Sequence, residues 1–501
     1  MGGGLDARTF FEGTEGQAWL RLLVVVLLLV VVLHGGAGVE RVQFILRCLR
    51  LDKQVACSRS HLQERAREMG QKVRDYGVEQ TLTLSAQMPP RTVTVCADET
   101  WLAGTMILVA NDPVSGWLWV QEIAATRDQT TWTEAVKEGI QGMSLTIRTV
   151  GADCGAGLVA MATQGFGVSH SADVFHGQYE LTKGYSRRLA VRVQAAEAAH
   201  LQAIHAARRI AHIEPGNQRD HASVPTADTA PIAIAQPVPP PTEILLQKAI
   251  DEEATMKEVV RGIGTLVHPV DLATGAPRSG TEVQGELNTL IARGRAIAAT
   301  LEQPRAIEKV QKLVPTWASM VQAWWLAVAT RVASLPISGE LFTLVLTVLI
   351  PAMYLDWVRE RNHLDADARA SLAAARNTLL ATVRSHVEWG ALPPAMRRHL
   401  IDVAQECARW FVRSTGSTEG HNGWLRQRFH QRHAVTPEWL ETQRVLHNFL
   451  IRRPDGTTAA ERFFGAAHAD LIEYLFARMP LPALPRARHT RPPTTIERLN
   501  L

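Results

Sequence analysis

Three short segments, far apart in the chain, place acidic residues in settings that suit metal-dependent phosphodiester chemistry. They are Thr92-Val-Thr-Val-Cys-Ala-Asp98-Glu99, Thr149-Val-Gly-Ala-Asp153-Cys-Gly-Ala-Gly-Leu158 and Ser417-Thr-Glu419-Gly-His-Asn422-Gly-Trp-Leu-Arg426. The first two read as β-branched strands that each end in an aspartate, and the third as the start of a helix. Carboxylates at the ends of adjacent strands and on a neighbouring helix can hold two Mg²⁺ ions. Such a pair activates a water or a 3′-hydroxyl and stabilises the leaving oxygen of a phosphodiester. Asp98, Asp153 and Glu419 are therefore the expected metal ligands and catalytic residues.

Each acid also has a plainer reading: Asp98 as a turn residue, Asp153 as a helix N-cap, Glu419 on a solvated helix face. Glu99 would point away from Asp98 on a strand and ranks second. The glycines after Asp153 permit a close strand-to-helix turn beside a metal or phosphate. On the third segment, Glu419, Asn422 and Arg426 share a helix face, aligning a metal ligand, an amide and a phosphate-binding guanidinium. Leu425 and Phe429 can pack on a sheet. In Asp173-Val-Phe-His176, Asp173 is the reserve for the second acid. His176 is a phosphate contact or proton shuttle, with a structural histidine as the equal alternative. The cysteines (Cys48, Cys57, Cys96, Cys154, Cys407) form no CxxC pair, which suggests a reducing compartment rather than a disulfide framework or zinc site.

The elements that must position these groups follow from patterning. Thr92–Cys96, Thr105–Ala110 and Trp117–Ile123 read as a meander. A helix over Thr130–Ile140, a strand over Leu145–Val150, a helix over Leu158–Thr163 and a strand over Val168–Val174 complete the order βββαβαβ. That is the order of an RNase H-like fold. Long helical patterns then fill 189–408, so Glu419 lies 266 residues beyond Asp153 and an all-α domain must interrupt the sheet domain. The expected divisions are 1–88 (helical, DNA-binding), 89–188 (core, first part), 189–408 (insertion, with a Pro-rich linker at 214–243), 409–479 (core, second part) and 480–501 (Pro/Arg-rich tail).

At 501 residues, two to four domains are expected, and 46% hydrophobic with 20% charged residues excludes wholesale disorder. The net charge is only +4, but from Arg409 onward there are 14 Arg, no Lys and 8 Asp/Glu, which suits a polyanionic partner. Within 1–88, Val42, Ile45, Leu46 and Leu49 mark an amphipathic helix. A second helix, with Ser60 and Gln63 as a capping box, shows Arg59, Gln63 and Arg67 on one face, as in a helix-turn-helix that reads a major groove. The Leu22–Leu33 run is twelve apolar residues, short of the roughly 20 a spanning helix needs, and acidic residues precede it where a signal peptide is basic. It is expected to be a buried helix, as is Leu341–Ile350.

Taken together, Cys-Ala-Asp98-Glu-Thr-Trp, Gly-Ala-Asp153-Cys-Gly-Ala-Gly-Leu, Asp173-Val-Phe-His176 and Ser-Thr-Glu419-Gly-His-Asn422-Gly-Trp-Leu resemble DDE-type transposases of bacterial insertion sequences. The last segment is similar to that family's VExxNxxL helix, with Thr418 in place of the apolar residue. The run His447-Asn448-Phe449 through Asp455-Gly456-Thr457-Thr458 to Glu461-Arg462-Phe463-Phe464 resembles its C-terminal signature. The resemblance implies Mg²⁺ dependence (two ions, Mn²⁺ able to substitute) and an Asp98–Asp153–Glu419 triad. It also implies cleavage and strand transfer at the terminal inverted repeats of a mobile element, joined to target double-stranded DNA. A cytoplasmic homodimer or higher homo-oligomer on the nucleoid, with no membrane, is the accompanying expectation. The rival expectations are a transposase-derived DNA-binding protein without activity and a membrane-associated helical protein.

Overall fold

The computed structural model describes residues 7–213, 241–361, 364–432, 435–480 and 483–485. Most of the expected linker 214–243 and most of the tail 480–501 lie outside the described residues. The chain divides into two compact units, Met1–His170 with Thr415–Leu501, and Ser171–Ser414. The excursion between the two halves of the first unit thus begins at Ser171, before the position 189 suggested by the change of pattern, because one continuous helix starts at Val174.

After a short helix at Ala7–Glu12, the first unit continues with helices α1 (Thr14–His34), α2 (Val39–Cys48) and α3 (Arg59–Gln87). Strands β1 (Arg91–Leu102), β2 (Thr105–Asn111) and β3 (Leu118–Ile123) follow, then α4 (Gln129–Gly139), β4 (Leu145–Ala152), α5 (Ala156–Ala160) and β5 (Ser169–Ala172). The five strands form one mixed sheet in the order β3-β2-β1-β4-β5. β1 and β2 pair antiparallel across a two-residue hairpin in which Ala103 and Gly104 both have positive φ, 47° and 82°, as a turn matching strand twist requires. β1 and β4 run parallel, with Cys96 opposite Gly151.

Alternation along β1 assigns its two faces. Val93, Val95 and Ala97 join a core built from α1–α3, α4, α5 and the C-terminal helices. Leu102 points the other way, with Ile107, Val109 and Leu118, onto Leu425, Trp439 and Leu440. The N-terminal helices therefore share the sheet's core instead of forming a core of their own. Leu20, Val25, Leu28, Leu29 and Leu33 of α1 are buried in it. α1 extends the Leu22–Leu33 run to 21 residues, with mean hydropathy 2.5. By length and composition it is thus long enough to cross a membrane, contrary to the count made on the apolar run alone. Arg21 lies within it and donates to the Phe476 carbonyl at 3.3 Å.

The helix-turn-helix expectation meets a different geometry. α2 and α3 are joined by the ten residues Leu49–Ser58, whereas that motif uses a turn of about three or four. The cap of α3 is Ser58, which accepts from the His61 N–H, so helical geometry begins before Ser60.

The second unit is helical: α6 (Val174–Ile213), α7 (Pro241–Leu266), α8 (Gly280–Thr300), α9 (Arg305–Ala333), α10 (Gly339–Glu360), α11 (Ala366–Ser385) and α12 (Pro394–Arg409). α10, with 22 residues and mean hydropathy 1.9, also has the length and composition to span a membrane. Leu341, Leu344, Val345, Leu349 and Ile350 nevertheless lie in this unit's core. The chain then returns to the first unit with α13 (Gly416–Arg432), α14 (Pro437–Phe449), α15 (Ala459–Phe464) and α16 (Leu471–Arg478).

The residues resembling a C-terminal signature have structural work in this unit. The Asn448 amide receives the Leu118 N–H at 2.9 Å and donates to the Leu118 carbonyl at 3.0 Å, fixing the start of β3. Thr458 and Glu461 cap α15 reciprocally, and Phe463 stacks on Trp117 at 5.5 Å.

Candidate active site

Asp98 lies inside β1, not at its end as the strand pattern suggested, because pairing with β2 carries the strand on to Leu102. It is nonetheless close to where the parallel pairing stops. The last β1–β4 pair is Cys96↔Gly151, and Asp98 and Asp153 each stand two residues beyond it. The parallel register therefore brings the two acids to the same end of adjacent strands, Asp98 still within β1 and Asp153 just past the end of β4.

Helix α13 lies along the same face of β1. Asn422 donates to Asp98 Oδ2 at 2.8 Å, and Arg426 donates through Nε to Thr100 Oγ1 at 3.2 Å. Four helical residues rise about 6.0 Å and two strand residues about 6.6 Å, so successive turns of α13 match successive same-face residues of β1. One turn earlier, Thr418 donates to Asn111 Oδ1 at 2.9 Å, which ties the start of α13 to β2. Glu419 occupies the first turn, its N–H on the Thr415 carbonyl at 3.0 Å. A carboxylate there is favoured by the positive end of the helix dipole. The face predicted from spacing thus meets the sheet through Asn422 and Arg426. Asn422 Oδ1 is buried with no hydrogen-bond partner, a cost of about 1–3 kcal/mol unless a donor arrives.

Asp153 follows β4 directly and accepts the Gly155 N–H at 2.8 Å. His170 Nε2 donates to its carbonyl at 3.0 Å, and burial lowers the His170 pKa, favouring the neutral ring. Behind α13, His421 and His447 are held neutral: burial drives the first well down and the second to about 4. His421 bonds the buried Gln121 amide, and Arg428 caps the Trp424 ring at 3.9 Å.

Asp173 and His176 fall in the second unit. Asp173 is buried and accepts the Phe175 N–H at 2.7 Å. His176 Nδ1 is 3.6 Å from it, within the first turn of α6 and not at the end of β5. The buried Arg413 feels the Asp173 charge. Acidic and histidine side chains able to hold a metal ion are present among the described residues, Asp173, His176 and Glu419 among them.

Arg59, Gln63 and Arg67 do share one side of α3. With Arg74 they line a cleft of about 810 Å³ that also includes Glu438 and Thr442 of α14. Arg59 is paired with Glu40 at 2.7 Å, and Arg74 donates to Thr442 at 3.0 Å.

Sequence reasoning missed Arg127, whose guanidinium pairs with Glu99 beside Asp98. It sits in the loop Ala124-Ala-Thr-Arg127-Asp128, where no periodicity announces it. His170 was missed too, because a single histidine on a short strand carries no spacing signal.

Residues 345–491, under a third of the chain, match a family model described as a family of unknown function (DUF6399). The matched segment contains Glu419, Asn422 and Arg426 but neither Asp98 nor Asp153. No curated protein and no solved structure matches the chain.

Proposed function

We propose that the chain is a DDE-type DNA transposase with an RNase H-like catalytic core. In this reading it cuts and joins phosphodiester bonds at the terminal inverted repeats of a mobile element. One observation carries the reading: Asp98 on β1 and Asp153, just past the end of the parallel strand β4, each lie two residues beyond the last β1–β4 pair, while Asn422, on the helix that carries Glu419, donates to Asp98. The strand order β3-β2-β1-β4-β5, antiparallel through the first three with β4 parallel to β1, supports the same core.

The donor set suits Mg²⁺, with Mn²⁺ as substitute: hard carboxylate oxygens from Asp98, Asp153 and Glu419. The buried, unpartnered Asn422 Oδ1 beside Asp98 suits a site that a water or hydroxyl donor completes. Bound there, two ions would activate a water and later the freed 3′-hydroxyl, and would stabilise the leaving oxygen. The protein's own part is positional. Asn422 orients the Asp98 carboxylate, neutral His170 and Gly155 fix the Asp153 turn, and Arg426 braces α13 on Thr100. Arg59, Gln63 and Arg67 offer a polar, partly basic surface for duplex DNA.

The protein is assigned to the cytoplasm, on the nucleoid, as a homo-oligomer. The 21-residue α1 favours membrane association as the second reading, and the buried Leu20, Val25, Leu28 and Leu29 stripe argues for the first. The deciding experiment is a Mg²⁺-dependent cleavage assay on the DNA flanking the gene. Wild type should cut and Glu419→Gln should not, and equal cutting by both would remove Glu419 from the chemistry.

A further inference from the structure

A cleft of about 640 Å³ opens beside Asp153, bordered by Glu99, Arg127, Trp132 and the Gly155–Gly157 turn. Its size falls in the range of small-molecule sites, about 300–1,000 Å³, which accommodates one nucleotide. Arg127 is tied to the strand that carries Asp98, on the face of β1 opposite that carboxylate, and to the segment that follows Asp153. Its side chain pairs with Glu99, the neighbour of Asp98. Its backbone is met by the Asp153 turn so closely that a Cβ on Gly157 would lie 2.0 Å from the Arg127 carbonyl oxygen. Glu99 holds one side of the guanidinium, yet the Arg127 side chain remains 62% exposed.

The carboxylates around the cleft have assigned tasks. Glu99 is paired with Arg127, Asp128 caps α4 by accepting the Thr131 N–H at 2.9 Å, and Asp153 is a proposed metal ligand. Arg127 is then the charged donor left facing the opening. Trp132, fully buried, forms part of the cleft wall. Gly155, Ala156 and Gly157 also line the cleft, and their short side chains leave backbone exposed to a flat ring.

Building on the transposase reading, we propose that this cleft seats one nucleotide of the DNA strand being cut, with Arg127 holding its phosphate. Arg127 is then a substrate-contacting residue, and Glu99 a positioning residue that aims it.

The test uses full-length protein and the flanking DNA of the cleavage assay. Binding is measured over a salt series, and cleavage is measured in Mg²⁺. Arg127→Ala should flatten the slope of log K against log salt by about 0.9, the value of one lost phosphate contact. It should also weaken binding about ten- to a hundred-fold, the range for a charge-assisted hydrogen bond. Arg127→Lys keeps the charge but loses the fork, so it should restore the slope while cleavage stays depressed. Glu99→Gln should retain the slope and lower the cleavage rate. Wild-type slope and rate in Arg127→Ala, with wild-type cutting intact, would overturn the cleft and leave the transposase reading standing. Failure of the wild type to bind or cut this DNA would overturn both.

Discussion

Replacing Asn422 by aspartate tests the contact on which the proposed site turns. The new carboxylate would stand where the amide now donates to Asp98, at 2.8 Å. Two full charges at that distance repel by about 6 kcal/mol at an effective dielectric of 20. Proton uptake caps the penalty: holding one carboxyl protonated at pH 7, against an ordinary pKa near 3.9, costs about 4 kcal/mol. The smaller figure governs. The shared pKa is raised above its unfolded value, so the variant's stability deficit is absent below about pH 4 and grows as the pH rises towards 7. In chelator at pH 7 the melting temperature should fall on the order of 10 °C. Mg²⁺ should return much of it, because a divalent cation between the carboxylates replaces repulsion with attraction. Thermal melts of wild type and Asn422→Asp at pH 4.5 and 7, with EDTA and with Mg²⁺, read every term. A variant as stable as wild type in EDTA at pH 7, and indifferent to Mg²⁺, would mean that Asn422 and Asp98 do not share a site.

The remaining expectations concern the acids, the apolar helix and the buried histidines. Asp98→Asn and Asp153→Asn should each abolish cleavage while leaving DNA affinity within a few-fold, measured by gel shift; an active Asp153→Asn with a dead Asp173→Asn would transfer the second role to Asp173. Leu29→Asp forces a charge into the core of the first unit and should drive the protein into inclusion bodies, whereas Val30→Asp, at a position 46% exposed, should stay soluble. Carbonate-resistant membrane association of the wild type would instead support α1 as an anchor. His447, held near pH 4 in the folded chain by burial, has a depressed pKa. Its contribution is complete above about pH 6.5 and is lost as the pH falls towards 4, by about 3 kcal/mol. Acid melts of wild type against His447→Gln should show a shallower fall in the variant.

Strands β1–β4 were legible because their β-branched runs lie between turn residues, whereas the observed β5, Ser169–Ala172, has no β-branched residue and is shorter than the Val168–Val174 expected. The end of β1 was not legible, because Asp98-Glu-Thr-Trp101 continues the strand with polar residues that lie under α13 or pair with a loop arginine, and polarity reads as a turn. The one-faced alignment of Asn422 and Arg426 could be read from helical spacing alone. What they touch could not, since Asp98 and Thr100 are more than 300 residues away. The separate N-terminal domain was an artefact of reading locally. Leu20, Leu28 and Phe463 belong to one core, and no window of sequence contains all three. Arg127 had no local signature because its role comes from a single partner across a loop.

The excursion between β5 and α13 also sets a clock. Asp98 and Asp153 leave the ribosome early, but Glu419 and the Asn448 and Phe463 contacts that secure β3 follow only after the 244-residue second unit, Ser171–Ser414. At about 5–20 residues per second, the nascent sheet waits roughly 12–50 s for the helix that completes it, while the intervening unit has time to fold. A nascent or truncated chain therefore holds two of the three carboxylates without the third. Under the proposed function, cutting competence would be withheld until α13 has followed the helical unit, and a ribosome stalled within that unit would release a product that cannot cut.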